Sequence, residues 1–150
     1  MLFRSDSADL IVSVDGLAYA YFGEKNYDAA DAAYKRLLSL WEKSVGPTHP
    51  MMAVALDKVA VFYSAQKKMP EAMAAFERAN AVRAHFFATG LSREATQAIL
   101  DGNIVGAIPM YERALQALEP ANPLYDEMRG EIDGNLKTLK GPGGAQAPKK

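Results

Sequence analysis

The chain has 150 residues, of which 49% are hydrophobic and 23% are charged, and its formal net charge is −1. This length is enough for one domain with a sizeable core, and the near-zero charge gives no general attraction to nucleic acid or to an anionic membrane surface. The absence of cysteine excludes disulfides, thiolate chemistry and cysteine-based zinc sites. Alanine, the best helix former, is the most frequent residue, so the composition predicts an all-α fold.

The absence of targeting signals bears on localisation. The N-terminal sequence has no apolar segment of signal-peptide length, and no run along the chain approaches the roughly 18 apolar residues of a membrane span. We therefore expect a cytoplasmic protein with neither nucleic-acid nor membrane partners. The abrupt start leaves open that the sequence is part of a longer protein.

The first predicted element is a pair of helices over about residues 11–50. Leu17 and Tyr21 give the first helix an apolar face, and Tyr34 belongs to the apolar face of the second, at the three-and-four spacing of amphipathic helices. Asn26 interrupts the pattern and is a good N-cap residue. The segment is therefore predicted to be a helix hairpin that turns just before Asn26.

A linker over residues 46–50 follows the first hairpin. Gly46 and Pro47 are residues that end helices, and Thr48 or His49 is expected to cap the next one.

A second hairpin, over about residues 53–88, repeats the first at an offset of 42 residues. Because Phe76 matches Tyr34 at this offset, we expect both aromatic side chains to be buried between hairpins. We also expect Leu17 and its equivalent, Val59, to face inward. Identical pairs at this offset include Asp15 and Asp57, Ala18 and Ala60, Tyr21 and Tyr63, Lys25 and Lys67, Ala30 and Ala72, Ala32 and Ala74, Ala33 and Ala75, and Arg36 and Arg78.

A third and weaker hairpin is predicted over about residues 90–120, at an offset of 35 residues from the second. Its turn is Asp101-Gly102-Asn103, with Asn103 as the N-cap of the helix that follows. Its first helix, over about residues 92–100, has Glu94 at the position that is apolar in the other two hairpins. This helix is therefore a degenerate version of the repeat.

The C-terminal part is predicted to be a capping helix over about residues 123–139, followed by a disordered tail over residues 141–150. A break at residues 119–123 separates this helix from the third hairpin. Charged residues cover one face of the helix, as the cap of a repeat array requires. Its apolar face consists of Leu124, Met128, Ile132, Leu136 and Leu139.

Two runs of residues point to a family. Leu17-Ala18-x-x-Tyr21, followed by Asn26-Tyr27-x-x-Ala30-x-x-x-Tyr34-Lys35-Arg36-Leu37, resembles the tetratricopeptide repeat. The spacing of 42 residues and the linker are similar to those of the kinesin-light-chain type, as is the run Ala107-Ile108-Pro109-Met110-Tyr111-Glu112-Arg113-Ala114-Leu115. The sequence departs from the family where Lys25 and Lys67 replace the glycine before the cap, which only Gly102 keeps.

The resemblance implies a right-handed superhelical stack of antiparallel helix hairpins, an α-solenoid, in which the first helix of each hairpin lines a concave face. It also implies a scaffold that binds a peptide or protein segment there. A structural or self-association module, as a homo-oligomer or as an accessory segment of a larger protein, is the alternative.

Nothing in the sequence indicates an enzyme. His49 and His85 have no catalytic or zinc-binding motif around them, and there is no phosphate-binding loop. We therefore expect no catalytic residues, no metal site and no cofactor.

Helical geometry selects the candidate peptide-binding residues on the implied concave face. Asp15 and Asp57 stand where some family members have the Lys and Asn that hold a terminal carboxylate, so such a carboxylate site is not expected. The two acids favour a basic residue beside an apolar anchor, although both could equally be solvated or cap neighbouring helices. The full set is Asp15, Tyr19, Phe22, Asp57, Lys58, Val61, Arg93 and Thr96.

Overall fold

The fold is all-α, as predicted from the composition. A computed structural model describes residues 3–119 and 122–142, with side chains from residue 8 onwards, and these ranges contain helices and no strand. The predicted disorder of the tail falls mainly on residues 143–150, outside the described ranges. The helices are α1 (Phe3–Gly23), α2 (Tyr27–Val45), α3 (Pro50–Ala65), α4 (Met69–Leu100), α5 (Ile104–Ala117), a 3-10 turn (Pro123–Tyr125) and α6 (Asp126–Lys140).

The predicted helix caps form in the structure. The Asn26 side chain accepts a hydrogen bond from the backbone N–H of Ala29 at 3.3 Å, and the Asn103 side chain accepts one from Gly106 at 3.0 Å. Of the two cap candidates in the linker, His49 caps α3, because its Nδ1 accepts from the N–H of Met51 at 3.2 Å. Each cap satisfies a backbone donor that has no partner within its helix.

The chain divides into two compact units, with the boundary between Val82 and Arg83 inside α4. Unit 1 contains α1, α2, α3 and the first part of α4. Unit 2 contains the rest of α4 together with α5, the 3-10 turn and α6.

The core of unit 1 combines small residues at helix crossings with a cluster of aromatic rings. Ala18, Ala30 and Ala60 are fully buried, and side chains of this size let helix axes approach closely. Phe62 of α3 is also fully buried, and its ring centroid lies 5.0 Å from that of Tyr34 in α2. Aromatic pairs at such distances contribute beyond the area that they bury.

Two predictions about this core are wrong. Tyr34 is buried at 4% exposure, but its equivalent Phe76 is 42% exposed. Phe62 of the next helix packs on Tyr34, whereas the residues expected to form the helix after the second hairpin continue α4 itself. Leu17, predicted to face inward, is 50% exposed, whereas its equivalent Val59 is buried. The repeat gives equivalent residues the same direction, but burial also requires a helix on that side.

The predicted boundary between the second and third hairpins falls inside a helix. Residues 69–100 form the single helix α4, so the expected helix over residues 92–100 has no separate start. Gly90 is the only helix-breaking residue near this point, and one glycine costs a helix only about 1 kcal/mol relative to alanine. Thr89 stays within the helix, with its hydroxyl donating to the carbonyl of His85 at 2.9 Å.

Unit 2 packs around Tyr111 of α5, which is almost completely buried. Its hydroxyl shares a hydrogen bond with Thr96 Oγ1 at 3.0 Å and accepts one from Asn135 of α6 at 3.4 Å. Ile132 and Leu136 bury the apolar face that was predicted for the last helix. That helix begins as the 3-10 turn at Pro123 and becomes α-helical at Asp126, after a break of which residues 120–121 lie outside the described ranges.

Candidate functional site

A groove of about 520 Å³ lies on unit 1, between α1, α2 and α3. Six of the eight residues that were predicted to bind a peptide line this groove. The complete lining is Asp15, Gly16, Tyr19 and Phe22 of α1, Tyr34 of α2, and Asp57, Lys58 and Val61 of α3.

Helix periodicity explains why these side chains meet. Asp15, Tyr19 and Phe22 follow one another at intervals of four and three, so they share one face of α1. Asp57 and Val61 occupy the equivalent positions in α3 at the offset of 42 residues. The equivalent faces of α1 and α3 therefore form one continuous surface that lines the groove.

The groove has a packed floor and exposed apolar walls. Tyr34 is buried at the floor, and the half-buried Phe22 packs edge-on against Phe62, with ring centroids 5.5 Å apart. Tyr19 and Val61 are 75% and 54% exposed. Burial raises the pKa of Tyr34 above its ordinary value of 10.0, and the nearby Asp15 carboxylate raises it further, so the floor stays uncharged at neutral pH.

The charged rim of the groove contains an ion pair that the sequence did not predict. Lys58 Nζ donates to Asp15 Oδ2 at 2.5 Å, which joins α3 to α1. Both side chains are partly exposed, and pairs of this kind contribute only about 0–1 kcal/mol. Asp15 therefore already has a cation beside it, and an incoming basic residue would compete with Lys58.

The other two predicted site residues, Arg93 and Thr96, line a different groove, of about 440 Å³, on unit 2. Thr96 is occupied there by hydrogen bonds to the carbonyl of Ser92 and to Tyr111. The predicted set is thus divided between two units, because the first helix of the predicted third hairpin is the second part of α4, which belongs to unit 2.

Sequence reasoning missed two residues of the unit 1 groove, Gly16 and Tyr34. Gly16 lies three residues before Tyr19, so the same helical spacing would have selected it. Tyr34 was assigned to the core, and it is both a core residue and the floor of the groove.

The described residues contain no cluster of three or more His, Asp or Glu that could hold a metal ion. His49 is a helix cap, and half-burial lowers the pKa of His85 below its ordinary value of 6.5. No helix in the described ranges has the length and apolar character of a membrane span.

Comparison with known proteins identifies the family. The family model described as tetratricopeptide repeat matches residues 10–84, which is half of the chain and includes most of α1, all of α2 and α3 and the first part of α4. No curated protein sequence matches the chain at a significant level. Tetratricopeptide repeats generally mediate protein–protein interaction and are typically non-enzymatic scaffolds. The chain belongs to the tetratricopeptide repeat family.

Proposed function

We propose that this chain is a protein-binding scaffold and that the unit 1 groove holds a peptide segment of its partner. The observation that carries the proposal is an apolar groove whose two walls, Tyr19 and Val61, stay exposed above a packed aromatic floor. Exposed apolar side chains gathered around a concavity are typical of binding sites. The family supports the class of function, since these repeats generally mediate protein–protein interaction.

The occupant of this groove is an extended or helical peptide with a large apolar anchor residue. A volume of about 520 Å³ accommodates a bulky side chain and its neighbours. Tyr19 and Val61 would lose most of their exposed area on binding, and buried anchors of this type carry most of the affinity in protein interfaces.

Charge contributes less to the proposed recognition than the two acids suggested. The Asp15 carboxylate is paired with Lys58, so a basic residue of the peptide gains little from it. Replacing Lys58 by alanine would release Asp15 and increase the preference for a basic residue next to the anchor.

Selection from a random peptide library against the full chain tests the proposal. We expect the selected peptides to share an aromatic or large aliphatic residue. Their dissociation constants should rise about tenfold or more in Val61→Asp. Val105→Asp is the matched control, because Val105 is a similarly exposed valine of α5 in unit 2, and it should bind as the wild type does.

Melting curves by circular dichroism would show that both variants are folded. Peptides that bind Val61→Asp as tightly as the wild type would place the binding surface outside the groove. Tyr19→Ala, on the opposite helix of the groove, should weaken the same peptides if the assignment is right.

A further inference from the structure

The first part of α4 carries an apolar stripe that nothing in unit 1 covers. Met69, Met73 and Phe76 follow at intervals of four and three, so they share one face of the helix. All three are exposed, Met73 at 56%. Phe76 is an aromatic residue that the repeat would be expected to bury.

The internal repeat shows what covers this face one hairpin earlier. The equivalents of the three residues are Tyr27, Asp31 and Tyr34 of α2, and all three contact α3. The rings of Tyr27 and Tyr34 lie 6.5 Å and 5.0 Å from that of Phe62. The carboxylate of Asp31 accepts a hydrogen bond from the hydroxyl of Tyr63 at 2.6 Å. The face is therefore one that receives the first helix of a following hairpin.

The complementary face is exposed on α1. Met52 and Val59 of α3 are buried in unit 1, where α3 packs on α2. Their equivalents, Leu10 and Leu17 of α1, are exposed. The molecule thus presents the receiving face on α4 and an apolar complementary face on α1, in which the small Ala20 stands where α3 has Phe62.

The third hairpin of the same chain lacks the residues for this interface. At the offset of 35 residues, Glu94 and Gln97 correspond to Val59 and Phe62. A charged and a polar side chain would replace the two apolar ones, and both belong to α4 itself, so they cannot pack on its first part as α3 packs on α2.

We propose that the exposed stripe of α4 is covered by α1 of a second copy of this chain, which packs on it as α3 packs on α2. Leu17 of one copy takes the position of Val59, and its Tyr21 meets Met73 of the other copy. The stripe is fully apolar, with Met73 where α2 has Asp31, and Leu10 and Leu17 supply exposed apolar side chains on the partner face. The interface continues the repeat stack from one copy into the next.

Such an interface joins two different faces, so it does not close on itself in a two-fold dimer. In a pair of copies, one keeps a free α1 face and the other keeps a free α4 stripe. Further association therefore leads to longer chains or to rings. Because the net charge is only −1, electrostatic repulsion between copies opposes this association only weakly. The proposal uses surfaces outside the peptide-binding groove and does not depend on the proposed function.

Sedimentation of the full chain at increasing concentration provides the test. The wild type should gain mass with concentration, beyond that of a dimer. Leu17→Glu disables the α1 face and Met73→Glu disables the α4 stripe, so each variant alone should stay monomeric. An equimolar mixture should form a one-to-one dimer and nothing larger, because each variant supplies the face that the other lacks.

Val105→Glu is the control, since it adds the same charge at an exposed position of α5 in unit 2, and it should associate as the wild type does. If a glutamate variant fails to fold, Leu17→Ala and Met73→Ala replace it and should raise the dissociation constant about tenfold. A wild type that is monomeric at every concentration, a Leu17→Glu variant that self-associates, or a mixture without the dimer would overturn the proposal.

Discussion

Lys25 and Lys67 occupy a backbone conformation that lysine rarely adopts. Both have φ of 59°, in the left-handed region where a Cβ atom crowds the following carbonyl. They close the turns after α1 and α3. The next N–H along the chain in each case bonds back to a carbonyl of the helix, that of Tyr21 at 2.9 Å and that of Tyr63 at 3.0 Å. This is the turn geometry in which glycine is preferred.

We therefore expect Lys67→Gly to raise the free energy of unfolding by up to about 1 kcal/mol, because relief of the strain exceeds the added entropy of glycine in the unfolded chain. Chemical denaturation would measure the difference. Lys43→Gly is the matched control, since Lys43 lies within α2, where glycine should cost about 0.5–1 kcal/mol. Equal effects of the two substitutions would contradict the strain argument.

Tyr63 is the other residue with a specific energetic role, because its hydroxyl donates to Asp31 between α3 and α2. Burial, followed by this hydrogen bond, raises the pKa of Tyr63 to about 12. Burial opposes ionisation of Asp31, but hydrogen bonds from Lys35 and Tyr63 lower the pKa of Asp31 below 3.8. Both pKa shifts indicate that a protonated Tyr63 lies beside an ionised Asp31 near neutral pH.

Tyr63→Phe should cost about 1 kcal/mol near neutral pH, the contribution of one hydrogen bond. A tyrosine whose pKa is raised on folding contributes stability that is fully present below the unfolded value of 10.0 and is lost as the pH rises through about 12. The advantage of the wild type over Tyr63→Phe should therefore shrink between pH 10 and pH 12. Urea melts of both proteins over this range would measure it, and a constant difference would count against the assigned hydrogen bond.

At the scale of the elements, the packing of α3 on α2 depends on one ring. Phe62 is fully buried and has Phe22, Tyr27, Tyr34 and Tyr63 around it, with ring centroids 5.0–6.5 Å away. Removing it would leave a cavity at the meeting point of α1, α2 and α3, because neighbouring helices relax only partly into lost volume.

Phe62→Ala should lower the stability of the chain by about 3–5 kcal/mol, whereas Phe76→Ala should cost about 1 kcal/mol or less, since Phe76 is exposed. Calorimetry at low protein concentration, where copies do not associate, would compare the two. Similar costs would mean that Phe76 is buried in solution, as the repeat pattern alone predicts.

On the scale of the whole molecule, the main departure from a regular repeat array is α4, a single helix that belongs to both compact units. A regular repeat array would end one helix and begin another near Gly90. Instead the backbone is helical there, and a Cβ atom added at Gly90 would meet nothing within 4 Å. The third hairpin therefore shares a helix with the second.

Gly90→Ala tests this continuity. In a continuous helix the substitution should raise stability by about 0.4–1 kcal/mol, because alanine loses less entropy on folding. Gly102→Ala is the matched control, since Gly102 has φ of 81° in the turn before α5, and it should cost about 1–2 kcal/mol. Thermal melts of both variants would decide, and a destabilising Gly90→Ala would indicate a turn at this position.

The sequence by itself determined the helices, most of their ends and most of the unit 1 groove. Helical periodicity and N-capping are local, so Asn26 and Asn103 could be read as caps directly. The internal repeat then placed Asp15 and Asp57, with their neighbours, on equivalent helix faces. The shared face of α1 and α3 therefore followed from this spacing together with the concave face that the family resemblance implies.

Only the tertiary structure decided which of these side chains are covered or paired. Tyr34 and Phe76 have equivalent positions, and only Tyr34 has a ring from the next helix above it. The pairing of Asp15 with Lys58 depends on how α1 lies against α3. Burial and ion pairing are properties of neighbours that are distant in the chain, and a local pattern does not contain them.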